Sequence, residues 1–158
     1  MSRLISKDIE TILRNTKRFS KYFSGKRILI TGGDGFIGKY FVETFKEYNK
    51  FLKKPILVYV YDTNIKNNNR NRFPNIFYFK SDVSKEFKFN KKVDIIIHAA
   101  GIASPFYYRK KPLEALDVAI NGTRNCLKIA KKNKSKFIFF SSSEIYGDPQ
   151  KKYVPTKE

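Results

Sequence analysis

The sequence predicts an α/β protein in which helices pack on both faces of a doubly wound parallel sheet. Five short apolar runs alternate along the chain with segments in which apolar residues recur at helical spacing. A glycine-rich turn directly follows the first run and opens the first long helical segment. Parallel strands need crossover connections, which helices normally provide, and ligands bind outside the carboxyl ends of such strands. The residues that follow each apolar run are therefore the candidates for a functional site.

Residues 1–24 precede the first strand and are predicted to form an amphipathic helix. Ser6 is placed to act as its N-cap, and basic residues occupy the face opposite the apolar one. We expect this helix to pack against the sheet domain, residues 25–158, or against a partner subunit rather than on a membrane. The apolar residues at helical spacing are Ile5, Ile9, Ile12, Leu13, Phe19 and Phe23.

The first strand, residues 28–30, leads into a glycine-rich turn that predicts a dinucleotide site. Gly32 or Gly33 permits the tight turn. Gly35 lets the backbone approach a pyrophosphate, and Gly38 lets the following helix pack close to its strand. The unpaired N–H groups and the positive dipole end of that helix then face the phosphates. The cofactor-binding residues predicted here are Gly32, Gly35, Phe36, Ile37 and Gly38.

The second strand, residues 56–61, ends at an acid that indicates which dinucleotide is bound. Asp62 is placed to accept hydrogen bonds from an adenosine ribose. A 2′-phosphate on that ribose would meet a carboxylate, so the sequence favours NAD over NADP as the cofactor. Thr63 and Asn64, in the polar loop that follows, are assigned to the same cofactor site.

The third and fourth strands, residues 76–79 and 93–97, are followed by further candidates. Asp82 is placed to border an adenine, and it could equally cap a turn. His98 is the single histidine and has no evident nucleophile or metal partner in the sequence, so we expect a hydrogen-bonded strand-end residue. The small residues after His98 allow the backbone to pass under a cofactor. The cofactor-binding residues predicted here are Asp82, Val83, Ala99, Ala100 and Gly101.

A long helix is predicted over residues 112–133, beginning at Pro112. A fifth strand, residues 137–140, follows it and delivers a run of serines with Glu144 at its carboxyl end. These residues fall at the same edge of the sheet as the other candidates. The apolar face of the helix consists of Leu113, Leu116, Ile120, Leu127 and Ala130.

Length and composition predict one soluble, cytoplasmic domain of 158 residues. The single Cys126 excludes an intramolecular disulfide, and no apolar stretch is long enough for a signal peptide or a membrane span. The net charge is +19, but the lysines are scattered as pairs near the ends of the predicted elements. We therefore expect a solvated basic surface, with no nucleic-acid partner, no membrane partner and no metal site.

Taken together, these motifs resemble the extended short-chain dehydrogenase/reductase superfamily and its NAD-dependent sugar-nucleotide epimerases and dehydratases. The resemblance implies a Rossmann-type fold and covers Arg27 to about Pro149. Within the superfamily, Ala103-Ser104-Pro105 and the segment 143–149 most resemble UDP-glucuronate decarboxylases. The motifs that carry the resemblance are the glycine turn, Asp62, Asp82-Val83, His98-Ala99-Ala100-Gly101, Gly122-Thr123 and the segment 142–147.

The resemblance implies that a UDP-hexuronic acid is oxidised at C4, loses CO₂ and is reduced again to a UDP-pentose. Ser142 matches the residue that hydrogen-bonds the reacting hydroxyl, and Glu144 matches a carboxylate that performs acid–base work near C5. Ser104 and Ser143 are assigned to the substrate, a nucleotide sugar and preferably a UDP-sugar. Ser143 stands where dTDP-glucose dehydratases carry Asp, but GDP-mannose dehydratases share the Ser-Glu pair. A sugar-nucleotide 4-epimerase or 4,6-dehydratase therefore stays as the alternative.

The sequence departs from the family pattern at its catalytic base, a Tyr with a Lys four residues later on a helix. Tyr107 with Lys111, and Tyr153 with Lys157, have this spacing, but both pairs fall in predicted loops and Pro155 disfavours a helix. Neither pair is expected to be catalytic.

A second departure lies in the long helix, where Ala119 replaces the Asn that is usual three residues before the Gly-Thr pair.

The chain is thus expected to correspond to the N-terminal half of a homodimeric enzyme. On this view it holds the NAD site, lacks the base and the substrate domain, and is inactive alone. An apolar face of the helix over residues 112–133 is expected to lie uncovered. The alternative of another class is a stand-alone nucleotide-binding or interaction module without catalysis.

Overall fold

The computed structural model describes residues 3–65, 73–87 and 89–156. Its five strands form one parallel sheet with helices on both faces. The strands are β1 (Arg27–Thr31), β2 (Leu57–Asp62), β3 (Ile76–Lys80), β4 (Ile95–His98) and β5 (Lys136–Phe139). The helices are α1 (Arg3–Thr16), α2 (Ser20–Phe23), α3 (Phe36–Asn49), α4 (Pro105–Lys110), α5 (Pro112–Asp117) and α6 (Thr123–Asn133).

The order of the strands is β3-β2-β1-β4-β5, with β1 at the centre. β1 pairs in parallel with β2 on one side and with β4 on the other. The direction of winding therefore reverses between β1 and β4, and a crevice opens at such a switch point. This arrangement confirms the predicted doubly wound, Rossmann-type sheet, while the observed strand boundaries differ by one or two residues.

The two faces of β1 are buried against different helices. Ile28 and Ile30 belong to one core cluster together with Phe45 of α3, whereas Leu29 belongs to the other together with Cys126 of α6. The side chains of Ile28, Leu29 and Ile30 in β1 are fully buried, and so is that of Cys126 in α6. A central parallel strand is apolar on both faces because both are covered, which explains the continuous apolar runs of the sequence.

The N-terminal segment packs on α3, as expected, but it is not a single helix capped by Ser6. α1 begins at Arg3, so Ser6 lies inside the helix and the predicted cap is wrong. A 3₁₀ turn, Lys17–Phe19, separates α1 from α2. The Tyr48 hydroxyl donates to Thr16 Oγ1 over 2.7 Å and so ties the end of α1 to α3.

The long helix over residues 112–133 contains a π-helical turn, Val118–Gly122, between α5 and α6. Gly122 lies against Val83, since an added Cβ would come within 3.0 Å of the Val83 side chain. The Asn125 side chain donates to the carbonyl oxygens of Val83 and Lys85, each over 3.0 Å. The helix is thereby fixed to the loop after β3.

The apolar face predicted for this helix points mostly away from the sheet. Cys126, Ile129 and Ala130 form the buried side of α6, and of the predicted set only Ala130 is among them. The expectation that an apolar face of this helix lies uncovered is confirmed, because the other members of the predicted set are exposed. The exposed members are Leu113, Leu116, Ile120 and Leu127.

Three of the scattered lysine pairs lie at the amino edge of the sheet: Lys53-Lys54, Lys91-Lys92 and Lys131-Lys132. Lys54 precedes β2 and its carbonyl oxygen accepts from Gly25 N over 3.0 Å, just before β1. The amino ends of parallel strands and the carboxyl ends of their helices share this edge, so pairs distant in sequence come together. Cations there complement the negative ends of the helix dipoles. The further lysines at this edge are Lys26 and Lys136.

Across the parts of the chain that the structure describes, no helix is both long enough and apolar enough to cross a bilayer.

An ion pair joins β1 to the start of β4 at the amino edge. Asp94 Oδ2 accepts from Arg27 N over 2.8 Å and from Arg27 Nε over 3.1 Å, and its Oδ1 accepts from Nη2 over 3.2 Å. The hydrogen bond to Arg27 lowers the pKa of Asp94, and it raises the pKa of Arg27. Since both side chains are about one third exposed, solvent screens part of this interaction.

We predict that Asp94→Asn lowers the free energy of unfolding at neutral pH by about 1 kcal/mol, because hydrogen bonds to a charged group are lost. The folded pKa of Asp94 lies below its unfolded value, so its contribution is complete above that value and is lost as the pH falls through the folded pKa. Urea unfolding followed by circular dichroism from neutral to acidic pH should therefore show the two proteins converging in acid. The exposed Asp148→Asn is the matched control and should match the wild type throughout.

Candidate functional site

A cleft of about 600 Å³ opens at the carboxyl edge of the sheet, at the switch point beside β1. The loops after β1, β2, β3 and β4 line it, together with the start of the long helix. We call it the carboxyl-edge cleft. It brings together these residues predicted to bind a cofactor: Gly32, Gly35, Asp62, Thr63, Asn64, Asp82, Val83, Ala99, Ala100 and Gly101.

The glycine turn is held closely against the loop after β4. Gly32 has φ +71°, and a Cβ added there would lie 2.6 Å from the backbone nitrogen of Ala100. A Cβ at Gly38 would overlap the carbonyl oxygen of Gly32, so the start of α3 touches the turn. Gly32 and Gly38 therefore play the turn-forming and close-packing roles predicted for them.

The start of α3 points its backbone at the cleft. Gly35 is the N-cap of α3, and its N–H donates to the Gly32 carbonyl oxygen over 3.1 Å. The N–H groups of the first helical turn have no intrahelical partner and favour an anion. The side chains of Phe36 and Ile37 are exposed and do not line the cleft, so the part predicted for these two residues rests on their backbone.

Asp62 is buried at the end of β2 and is fixed by backbone donors. Its Oδ1 accepts from Asn64 N over 2.9 Å, and its Oδ2 accepts from Asp34 N over 3.0 Å. Each carboxylate oxygen can accept more than one hydrogen bond. The carboxylate therefore keeps acceptor capacity toward a ribose hydroxyl while its position is set by two loops.

Asp82 caps a turn and also lines the cleft. Its Oδ1 accepts from Ser84 N over 2.9 Å and from Ser84 Oγ over 2.7 Å. The turn-capping interpretation is thus confirmed, and a contact from Asp82 to an adenine stays a prediction. Val83 beside it is buried against the long helix.

His98 is a buried, hydrogen-bonded residue at the end of β4, as predicted. Its Nδ1 lies 2.5 Å from Thr31 Oγ1, and its Nε2 lies 3.2 Å from Thr123 Oγ1. Burial lowers the pKa of His98 and raises the pKa of the neighbouring Cys126 thiol to about 12. A neutral imidazole therefore ties β1, β4 and α6 together beneath the cleft.

The residues assigned to catalysis and to the substrate lie outside the cleft lining. Ser142 follows β5 at the carboxyl edge, and its Oγ accepts from Glu144 N over 3.3 Å as the N-cap of a 3₁₀ turn, Ser143–Tyr146. Ser142, Ser143 and Glu144 are exposed, and so is Ser104 before α4. Their roles toward a substrate remain predictions.

In one of the two Tyr-x-x-x-Lys pairs, the tyrosine lies in a helix rather than in a loop. Tyr107 lies on α4, contrary to expectation, because Pro105 starts a short helix there. The Lys111 ammonium after it is paired with Glu114 over 2.9 Å. Tyr153 lies in an exposed 3₁₀ turn, and Lys157 lies outside the described residues.

The cleft lining also includes residues that were not predicted to be part of the site, among them Glu114, Asp117 and Val118. They lie at the start of the long helix, at and just before its π turn. The sequence could have indicated them, because the long helix follows the fourth strand and its first turns therefore lie at the carboxyl edge of the sheet. Among the described residues, no group of three His, Cys, Asp or Glu side chains could hold a metal ion.

The arrangement is chemically suited to a dinucleotide. Unpaired main-chain N–H groups suit a pyrophosphate, the Asp62 carboxylate suits a ribose, and small residues of the glycine turn and of the loop after β4 also line the cleft. Side chains larger than hydrogen are excluded at Gly32, so the backbone itself forms the floor of the cleft.

Comparisons with known proteins agree with this arrangement. The NAD dependent epimerase/dehydratase family matches residues 28–158. UDP-glucuronic acid decarboxylase 6 of Arabidopsis thaliana is 35% identical over 139 residues, which are 87% of this chain and 38% of that protein. The bifunctional polymyxin resistance protein ArnA of Wigglesworthia glossinidia brevipalpis is 31% identical over 154 residues, 93% of this chain and 22% of that protein.

A solved structure is also similar. The UDP-N-acetylglucosamine 4-epimerase from Methanobrevibacter ruminantium M1, in complex with UDP-N-acetylmuramic acid, superimposes with a TM-score of 0.68 at 27% identity. The match covers 85% of this chain and 43% of that chain. The chain thus spans less than half the length of each of these relatives.

We predict that Gly35→Val abolishes measurable NAD binding, because a β-branched side chain would occupy the approach of the pyrophosphate. A Cβ at this position meets only the Gly32 carbonyl oxygen, at 3.1 Å, so the turn needs to yield by a few tenths of an ångström. Isothermal titration calorimetry with NAD checks the loss, and circular dichroism checks the fold. Gly35→Ala should fall between wild type and Gly35→Val, and unaltered affinity in the valine variant would contradict the assigned site.

Proposed function

Because the chain belongs to the NAD-dependent epimerase/dehydratase family, we propose that it is the NAD-binding part of a UDP-glucuronate decarboxylase. The observation that carries the proposal is the carboxyl-edge cleft, in which the glycine turn, Asp62 and the 99–101 loop surround one dinucleotide-sized space. The similarity to a plant UDP-glucuronic acid decarboxylase supports the substrate. The chain spans 38% of the length of that relative, so the activity belongs to the whole enzyme.

The cofactor half of the proposal assigns a task to each part of the cleft. NAD, when bound, accepts a hydride from a sugar carbon and later returns it. The main-chain N–H groups of the glycine turn and of the first turn of α3 bind the pyrophosphate. Asp62 accepts hydrogen bonds from the adenosine ribose, and the small side chains of Ala99 and Ala100 let the cofactor lie close to the backbone.

The substrate half of the proposal uses the loops beyond β4 and β5. Ser142 hydrogen-bonds the C4 hydroxyl of the UDP-hexuronic acid, and Glu144 moves a proton near C5. Oxidation at C4 makes the sugar a β-keto acid, so the carboxyl group leaves as CO₂. Ser104 and Ser143 bind the substrate. The position of all four residues beyond the carboxyl ends of β4 and β5, exposed toward solvent, supports these assignments.

The exposed outer face of the long helix supports a homodimer. Four large aliphatic side chains are uncovered on it: Leu113, Leu116, Ile120 and Leu127. Contiguous apolar surface of this kind is typical of a subunit interface. We therefore propose that two copies of the whole enzyme associate through this helix.

We predict that Asp62→Ala raises the affinity for NADP relative to NAD by about tenfold, because the carboxylate that repels a 2′-phosphate is removed. Calorimetric titration with each dinucleotide gives the ratio. Asp117→Ala makes the same substitution elsewhere in the cleft and should leave the ratio within about twofold. An unaltered ratio in Asp62→Ala would mean that the ribose does not bind beside it.

We predict that the whole enzyme to which this chain belongs releases CO₂ and a UDP-pentose from UDP-glucuronate with NAD. Ser142→Ala should slow turnover by about 100-fold, since a donor to the reacting oxygen is lost, whereas Ser141→Ala at the neighbouring position should not. Nuclear magnetic resonance of the products distinguishes the alternatives. An inverted C4 hydroxyl would indicate an epimerase, a 4-keto-6-deoxy sugar a dehydratase, and NAD binding without turnover of any sugar nucleotide a binding module.

A further inference from the structure

A second carboxylate lies next to Asp62 at the ribose end of the cleft. Asp34 belongs to the glycine turn, and its backbone N–H donates to Asp62 Oδ2 over 3.0 Å. The Asp34 side chain is about one third exposed. The backbone contact places two acids from different loops side by side at the end of the cleft where the ribose is proposed to bind.

Asp34 forms an ion pair with a lysine of α3. Lys39 Nζ lies 3.4 Å from Asp34 Oδ1, and half of its side chain is exposed. Lys39 stands near the beginning of α3, which starts at Phe36. A flexible ammonium on this turn of the helix could reach a phosphate bound beside Asp62 if Asp34 did not engage it.

The pair has no sufficient explanation in stability. Exposed ion pairs contribute little to the free energy of folding. A cation near the amino end of a helix opposes the helix dipole, so Lys39 does not stabilise α3 by its charge. Asp34 favours the dipole by itself, without a lysine beside it. The ion pair is therefore free to act on a ligand without a large cost to the stability of α3.

We propose that the Asp34–Lys39 ion pair is a second determinant of selectivity for NAD over NADP. The inference rests on the proposed function in one respect, that the adenosine ribose of NAD binds beside Asp62. A 2′-phosphate brings about two negative charges to that position. Asp34 repels this phosphate, and by pairing with Lys39 it withholds the cation that would otherwise compensate the charge.

The test compares Asp34→Asn with the double variant Asp34→Asn/Lys39→Gln, because asparagine keeps the size of the side chain and removes its charge. Calorimetric titrations with NAD and NADP give the affinity ratio, and titrations with 5′-AMP and 2′,5′-ADP repeat it without a nicotinamide. We expect Asp34→Asn to raise the relative affinity for the 2′-phosphorylated ligands by about tenfold, with a smaller gain at high salt. Adding Lys39→Gln should return the ratio to within about threefold of wild type.

Glu47→Gln is the matched control for the loss of one negative charge. Glu47 pairs with Lys50 over 2.6 Å at the far end of the same helix, roughly 20 Å from the cleft by helical rise. Its ratio should equal that of the wild type. Circular dichroism shows whether each variant retains its fold.

Two results would overturn the proposal while the NAD site stands: an unaltered ratio in Asp34→Asn, or a gain that persists in full after Lys39→Gln is added. Absence of NAD and 5′-AMP binding in the wild type is a different result, since it would overturn the proposed function and this inference together. A gain that disappears with Lys39 supports the ion pair as the selective element.

Discussion

The structure depends on the close approach of the glycine turn to the loop after β4. β1 lies at the centre of the sheet and ends at Thr31, so the next residue has to turn the chain without a side chain in the way. Gly32 does this with a positive φ, and its Cα faces the backbone of Ala100. The same approach brings the start of α3 to the switch point, which aligns N–H donors with the cleft.

Below that contact, His98 of β4 connects β1 to the long helix. Its ring forms hydrogen bonds with the side chains of Thr31 and Thr123. Burial lowers the pKa of His98, so the imidazole is neutral. The floor of the cleft is thereby built from uncharged groups and from backbone. The charged groups of the cleft lie in the surrounding loops and at the helix starts: the side chains of Asp62, Asp82, Lys85, Glu114 and Asp117 line it, and the positive end of the α3 dipole faces it.

The sequence predicted the parts of the fold and of the site that backbone geometry dictates. The doubly wound parallel sheet follows from the alternation of strands and helices, and the roles of Gly32 and Gly38 and the position of Asp62 follow from short-range spacing. The buried side of the long helix could not be predicted, because helical periodicity identifies an apolar stripe but not the surface that the stripe covers, and a π turn shifts its register. The gathering of lysines at the amino edge was missed because it depends on how the ends of separate strands and helices come together. The Asp34–Lys39 pair was missed because it depends on the path of the glycine turn into α3.

The overall charge makes the local carboxylates necessary. With a net charge of +19, the long-range field of the chain attracts NADP more strongly than NAD, because NADP carries the additional phosphate. A selective site has to oppose that preference within a few ångströms, where screening by salt is weakest. Asp62 is held in place by two backbone N–H groups. Asp34 lies beside it and forms an ion pair with Lys39. Selectivity against a global field therefore requires fixed negative charge at the ribose, and Asp62 is the cleft carboxylate that two backbone N–H groups hold in place.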